Sequence, residues 1–225
     1  MVMNAKEAAR YIDISAVRSQ HTSRDILEMA DIAKQYGFIN VHTLPCWTAY
    51  VSSLIADRPD IYTGAPVGFP GGGHKTETKL LEAEQLIADG VDEMDIVMNI
   101  GKFKDGRDED VLEEIKRIIA ITPDRILTKV IVEMNVLNDE ELDRVCALVI
   151  RSGADFIKTG TGWVPGPVDI SRIQRVKERT HGKIKTKAAG GVRTRDEFDA
   201  LLAIGVERFG INIKSAVEIV KTFDS

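Results

Sequence analysis

The chain has 225 residues, 44% of them hydrophobic and 29% charged, with a formal net charge of −5. That is enough apolar material for one sizeable core, and the acidic balance argues against a nucleic-acid or anionic-membrane partner. The two cysteines, Cys46 and Cys146, stand far apart in no metal-ligand spacing, and the N-terminus lacks the apolar stretch of a secretion signal. A reduced, cytoplasmic protein is therefore expected. No segment approaches the roughly 18 apolar residues that a membrane span requires.

Short apolar strands alternate with amphipathic helices along the whole chain. Residues 11–15 read as a first strand. Thr22 to Asp25 has the pattern of a capping box and opens a helix with Ile26, Met29, Ala30 and Ala33 on one face, which Gly37 ends. Residues 38–44 give a second strand, followed by a helix from Thr48 to Arg58. Residues 62–68 give a third strand, and the glycine-rich loop 69–73 leads to a helix from Thr76 to about Gly90.

Residues 93–100 read as strand four, and a helix from Asp108 buries Val111, Leu112, Ile115, Ile118 and Ile119 before Pro123. Strand five is 126–133. Asn138 to Glu141 caps the next helix, which Gly153 ends. Strand six begins at Phe156 and breaks at Thr159-Gly160-Thr161-Gly162. A helix over about 169–181, strand seven at 183–189, a helix capped by Thr194 to Glu197, strand eight at 206–211 and a helix from about Lys214 to Phe223 complete the chain.

Eight strands, each followed by a helix over short connections, predict an α/β chain folded as a single (β/α)8 TIM barrel, with residues 1–225 as one domain. No G-x-G-x-x-G fingerprint marks an early strand–helix turn, which argues against a doubly wound nucleotide-binding sheet.

Side chains alternate along a barrel strand between interior and helix layer. In strand four Met94, Ile96 and Met98 form an apolar face that suits the helices, so Asp95 points inward. The same alternation places Asp13, His42, Lys129, Glu133, Lys158, Lys185 and Lys187 in the interior. Burying that many ions requires mutual pairing and shifts their proton affinities. Lys158 and Lys187, on neighbouring strands, are expected to repel, which frees one amine at neutral pH as a nucleophile for a carbonyl carbon. Asp95 faces them as a proton carrier. Thr161 and Gly162 after strand six, Gly190 and Gly191 after strand seven and Gly210 in strand eight lie at one end of the barrel, where backbone N–H groups can cradle an anion.

Asp13, residues 68–72, 92–95 with 99–101, Lys129 to Glu133, Gly153 to Gly162, and Lys187 to Thr194 with Arg193 form a set of segments spread over nearly the whole chain. Together they resemble the class I 2-deoxyribose-5-phosphate aldolases. The resemblance implies a Schiff-base aldolase that needs no metal or other cofactor. It cleaves 2-deoxy-D-ribose 5-phosphate reversibly to acetaldehyde and D-glyceraldehyde 3-phosphate. Lys158 matches the imine-forming lysine, Lys187 its tuning partner and Asp95 the carboxylate of a proton relay. Asp13, Ser15, Lys129, Thr161, Gly162, Gly190, Gly191, Arg193, Gly210 and Asn212 match substrate-binding positions. The implied partners are small aldehydes and sugar phosphates, with no nucleic acid and no membrane, and a homo-oligomer is left open.

The chain departs from that pattern in places. Ile14-Ser15 replaces a histidine–threonine pair, His42 stands where a cysteine is common, and Asn212-Ile213 stand where serines meet the phosphate. Trp163 is a bulky neighbour for the distal end of a substrate. Two alternatives follow: a lysine-dependent aldolase or thiolase for another sugar phosphate, or a barrel that binds sugar phosphates without catalysis. The four histidines, His21, His42, His74 and His181, have no metal-binding spacing, which argues against a metal-dependent aldolase.

Overall fold

A computed structural model describes residues 3–223. Eight parallel strands close into a barrel in sequence order. They are β1 (Ile12–Ala16), β2 (Asn40–Thr43), β3 (Tyr62–Val67) and β4 (Glu93–Val97), then β5 (Leu127–Ile131), β6 (Phe156–Lys158), β7 (Lys185–Ala189) and β8 (Arg208–Asn212). The helices are α1 (Ala5–Ala9), α2 (Ser23–Tyr36), α3 (Thr48–Leu54), α4 (Thr76–Ala88) and α5 (Ile100–Lys104). They continue with α6 (Asp108–Ile121), α7 (Asp139–Ser152), α8 (Ile170–Thr180), α9 (Arg195–Ala203) and α10 (Ile213–Lys221). The expected (β/α)8 barrel is the observed fold.

Local chemistry sets the helix boundaries. Asp25 accepts from the Thr22 backbone N–H at 2.6 Å, and Asn138 and Glu141 exchange bonds at 2.8 and 2.9 Å. Thr194 and Glu197 form the same reciprocal cap on α9. Each satisfies N–H groups that a helix start leaves without partners. Gly37 and Gly153 end α2 and α7 at φ +75° and +83°, a conformation that costs glycine little.

Some boundaries differ from the sequence reading. Strand four was expected to reach Ile100 but stops at Val97, because the Asn99 side chain accepts from the Lys102 N–H at 3.2 Å and starts α5. Helix α3 stops at Leu54 rather than Arg58, since the chain turns at Ile55 and Arg58 bonds Asp60 at 2.8 Å. Helix α1 was not foreseen; it is five residues long, and its buried Ala8 and Ala9 give too short a stripe to read.

Apolar side chains of the outer strand faces pack against the helices. Met94 and Ile96 join Leu86 and Ile118 in one cluster, while Ile14, Val41, Val130, Ile157 and Phe209 join the larger one. Between α4 and α6 lies a buried ion pair, Lys79 to Glu114 at 2.5 Å, whose ammonium also donates to the Val97 carbonyl at 2.9 Å. It ties off the end of β4. The barrel interior holds most of the buried charges, Asp13, Glu93, Asp95, Lys129, Lys158, Lys187 and Arg208, around a few apolar side chains such as Phe156.

Candidate active site

Strand register stacks the interior in layers. Asp95 lies level with Lys129, Lys129 with Phe156, Lys158 with Lys187, and Lys187 with Arg208. Phe156 forms a floor ringed by cations: the Lys129 and Lys185 ammonium groups stand 5.8 and 5.5 Å from its centroid, and the Arg208 guanidinium 5.9 Å. Lys185 corrects the sequence reading. It shares a face with Lys187 but sits at the entry of β7, where its side chain reaches solvent instead of the interior.

Above the floor the charges alternate. Glu93 accepts from Lys129 at 2.5 Å and from Arg208 at 3.1 Å. Asp13 bridges Arg208 at 2.7 Å and Lys187 at 2.6 Å. Asp95, with no exposure, takes Lys158 at 2.6 Å and Lys187 at 2.8 Å on Oδ2, and lies 3.3 Å from Lys129 through Oδ1. Such mutual pairing is what makes burial of these ions tolerable. Glu93 and Arg208 were not singled out in the sequence, although inward alternation on strand four included Glu93.

The proton affinities diverge. Burial is the main force bringing the Lys158 ammonium down from 10.5 to about 8; Asp95 opposes it and Lys187 adds to it. Repulsion from Lys187 was expected to be the cause, and desolvation turns out larger. Lys187 is also penalised by burial, but Asp13 and then Asp95 outweigh this and raise it above its ordinary value. Burial pushes the Asp95 carboxyl up, yet Lys158, Lys187 and Lys129 together hold it well below the usual range. For Asp13 burial is likewise outweighed, by Arg208 and then Lys187.

The turn after β6 is held from both sides. The Thr159 hydroxyl donates to the Ala189 carbonyl and accepts from the Ala189 N–H, each at 3.0 Å, joining the ends of β6 and β7. The Glu133 carboxylate accepts the Thr161 hydroxyl and the Thr161 N–H, the latter at 3.2 Å. Glu133 adopts φ +50°, unusual for a residue with a Cβ. A Cβ on Gly191 would come within 2.4 Å of the Val168 backbone N, so this turn requires glycine.

A cavity of about 310 Å³ opens over Lys158 at the C-terminal strand ends. Asp13, Ser15, Lys158, Lys187, Thr161, Gly162, Gly190, Arg193, Gly210 and Asn212 line it. Asp95 and Lys129 do not line it: Asp95 lies beneath, against Lys158, Lys187 and His42, Lys129 stands 3.3 Å from Asp95, and Gly191 packs away against Val168. Asn212 differs from its expected use: its Oδ1 accepts the Ser215 N–H and its Nδ2 donates to the Ser215 hydroxyl, both at 3.0 Å, so its amide caps α10. Arg18, His21 and Phe69 line the cavity without having been picked out as site residues. The signal available for Arg18 and His21 was position, since both lie in the loop after β1 at the catalytic end of a barrel. Among the described residues no group of three His, Cys, Asp or Glu side chains is placed to hold a metal ion.

The profile of the "DeoC/LacD family aldolase" matches residues 55–209. The chain belongs to the DeoC/LacD family of aldolases. A deoxyribose-phosphate aldolase of Sinorhizobium medicae is 42% identical over 96% of this chain and 87% of its own length. Among solved structures, the aldolase QR15 superposes with a TM-score of 0.91 at 33% identity, covering 96% of both chains. The tetrameric deoxyribose phosphate aldolase of Aeropyrum pernix superposes with a TM-score of 0.89 at 26% identity, over 99% of this chain and 93% of that one. This member of the DeoC/LacD family is a class I aldolase, a lyase with a lysine at the floor of its cavity.

Proposed function

We propose that the chain cleaves 2-deoxy-D-ribose 5-phosphate reversibly to acetaldehyde and D-glyceraldehyde 3-phosphate, with Lys158 as the imine-forming nucleophile. The observation that carries this is Lys158 itself, a buried amine whose proton is loosened to about 8 and which faces a cavity of small-sugar size. At pH 7 about a tenth of such an amine is neutral, against well under a thousandth for an ordinary lysine.

The neutral amine adds to the aldehyde carbon, and loss of water leaves an iminium. That cation is an electron sink: the bond between the second and third sugar carbons breaks toward it, releasing glyceraldehyde 3-phosphate and leaving an enamine. Protonation of the enamine carbon and hydrolysis release acetaldehyde. Asp95 and Lys187 serve the nitrogen end, where the carbinolamine gains and loses protons. Asp13 and Lys129 hold those two in place. Ser15, Thr161, Gly162, Gly190, Arg193 and Gly210 surround the sugar, and Gly191 shapes the turn. Residues 1–225 act as one domain in this reading.

Borohydride with acetaldehyde tests the proposal by fixing a two-carbon adduct on Lys158, located by peptide mass. Lys158→Ala should carry none and should not cleave. Absence of any adduct on the unmodified chain sinks the proposal.

The use of Asn212 as a helix cap and the apolar Ile213 beside it favour a second reading of the acceptor, an aldehyde other than glyceraldehyde 3-phosphate. A panel of phosphorylated and unphosphorylated acceptors separates the two. Cytoplasmic location and a homo-oligomer are also part of the proposal, supported by two free cysteines and by the tetrameric relative; fractionation and a size measurement check them.

A further inference from the structure

His42 stands on β2, and in a closed ring of eight strands β2 lies across the barrel from β6, which carries Lys158. A carbon chain attached to Lys158 enters a cavity whose wall this imidazole also lines. His42 lines the same cavity, yet it is buried, and neither ring nitrogen has a hydrogen-bond partner. A buried polar atom without a partner is costly, so its retention at a cavity wall points to a bound group.

The ring is also deliberately seated. His42 is level with Gly64 on β3, and a Cβ at Gly64 would fall 2.4 Å from the imidazole Nδ1 and 2.7 Å from the Asn40 side chain. The bare glycine makes the slot in which the imidazole lies. From there Nε2 stands 3.7 Å from Asp95 Oδ2, the oxygen that Lys158 contacts at 2.6 Å.

Asp95 is a poor base for the carbon–carbon step, because Lys158 and Lys187 both donate to Oδ2 and, with the Lys129 ammonium 3.3 Å from Oδ1, hold its carboxyl well below the usual range. We infer that His42 takes the proton of the substrate's third-carbon hydroxyl as the bond to the second carbon breaks. The inference rests on the aldolase reading above. The O–H pair becomes the carbonyl of the released aldehyde, the broken carbon–carbon pair becomes the enamine double bond, and the iminium nitrogen becomes neutral. The imidazolium then returns its proton to the enamine carbon, restoring the iminium for hydrolysis, so the proton count closes.

Electrostatics favour this route. Burial keeps the imidazole well below its ordinary value, with Asp95 opposing and Lys187 and Lys158 reinforcing, so the resting ring is neutral and able to accept. When the proton arrives, the positive charge on the Lys158 nitrogen vanishes. The pocket's total charge is unchanged, and Asp95 borders both positions.

The test compares His42→Ala and His42→Gln with the unmodified chain in two assays: borohydride trapping of acetaldehyde and cleavage of deoxyribose 5-phosphate. Both variants should form the Lys158 adduct as the unmodified chain does, while kcat for cleavage falls about 100-fold with KM little changed. Added imidazole should restore cleavage by His42→Ala in proportion to its free-base concentration. Full cleavage by either variant, loss of adduct in step with cleavage, or a rate loss that imidazole does not relieve would each overturn the inference. If the unmodified chain forms no adduct, the aldolase reading itself has failed; if it does and His42→Ala cleaves normally, only the role of His42 falls.

Discussion

Lys158 and Lys187 donate to the same oxygen, Asp95 Oδ2, at 2.6 and 2.8 Å, and yet their proton affinities move in opposite directions. Burial disfavours both ammonium groups, so the difference lies in what each has beside it. Lys187 also meets Asp13, whereas Lys158 has Asp95 alone and faces the cavity. Counting the cluster joined by ion pairs makes the point: Asp13, Glu93 and Asp95 are matched by Lys129, Lys187 and Arg208. The Lys158 proton is the charge left over, and it is the one released.

The pH dependence of imine formation follows. Only the neutral amine attacks a carbonyl, and its fraction grows as pH rises toward the Lys158 value of about 8. Trapping rates with acetaldehyde should climb about tenfold per pH unit below that point and level off above it. A profile that keeps climbing to pH 10 would mean an ordinary lysine.

Arg208 enters the same balance from a distance. Arg208→Gln removes a cation that Asp13 and Glu93 share, so the cluster holds the Lys158 proton more firmly. The inflection should move up by about one pH unit, and trapping at pH 7 should fall accordingly. Breaking this buried pairing should also cost about 3–5 kcal/mol in denaturant unfolding. Arg208→Lys keeps the charge and should restore most of the pH profile, which separates the electrostatic effect from a packing defect.

Why the sequence revealed part of this cluster is a matter of geometry. Period-two alternation tells which face of a strand a residue occupies, and it brought Asp13, Asp95, Lys129, Lys158 and Lys187 to the interior, where they lie. It does not tell depth. Lys185 shares the face of Lys187, but two residues lower on a strand is about 6–7 Å, enough to reach the open bottom of the barrel. Arg208 follows Val206 and Glu207 in a mixed run with no clear apolar face, so alternation had little to mark it. The Lys79–Glu114 pair bridges two helices, where a charge on the inner face breaks the apolar stripe that periodicity seeks. Arg18 and His21 lie in a loop, which has no period at all.

Glu133 offers a prediction about positioning. Its carboxyl, which burial holds above its ordinary value against the opposing bonds to Thr161, clamps the turn that follows Lys158. Glu133→Ala leaves the buried Thr161 N–H without a partner, at a cost of about 1–3 kcal/mol. Because Lys158 remains in its strand, the acetaldehyde adduct should persist. KM for the phosphorylated sugar should rise, since Gly162 in that turn lines the cavity. Loss of the adduct in a folded variant would show that Glu133 acts on Lys158 directly.

The cavity mouth decides what the substrate carries at its far end. Arg18, Arg193 and Lys214 line it, and among the described residues none is ion-paired to a carboxylate. In a chain of net charge −5, three cations at one opening with no ion pair among the described residues fit a phosphate. Arg18 has a second task, because its guanidinium donates to the Gly162 carbonyl at 2.8 Å and lies 5.2 Å from the Trp163 ring centroid. Lys214→Ala should therefore raise KM for deoxyribose 5-phosphate several-fold, an effect that shrinks as salt rises, and leave unphosphorylated deoxyribose unaffected. Arg18→Ala should raise KM for both substrates, since it also releases the turn beside Lys158. Steady-state kinetics with the two sugars at low and high salt distinguish these outcomes, and equal effects of Lys214→Ala on both would remove Lys214 from phosphate recognition.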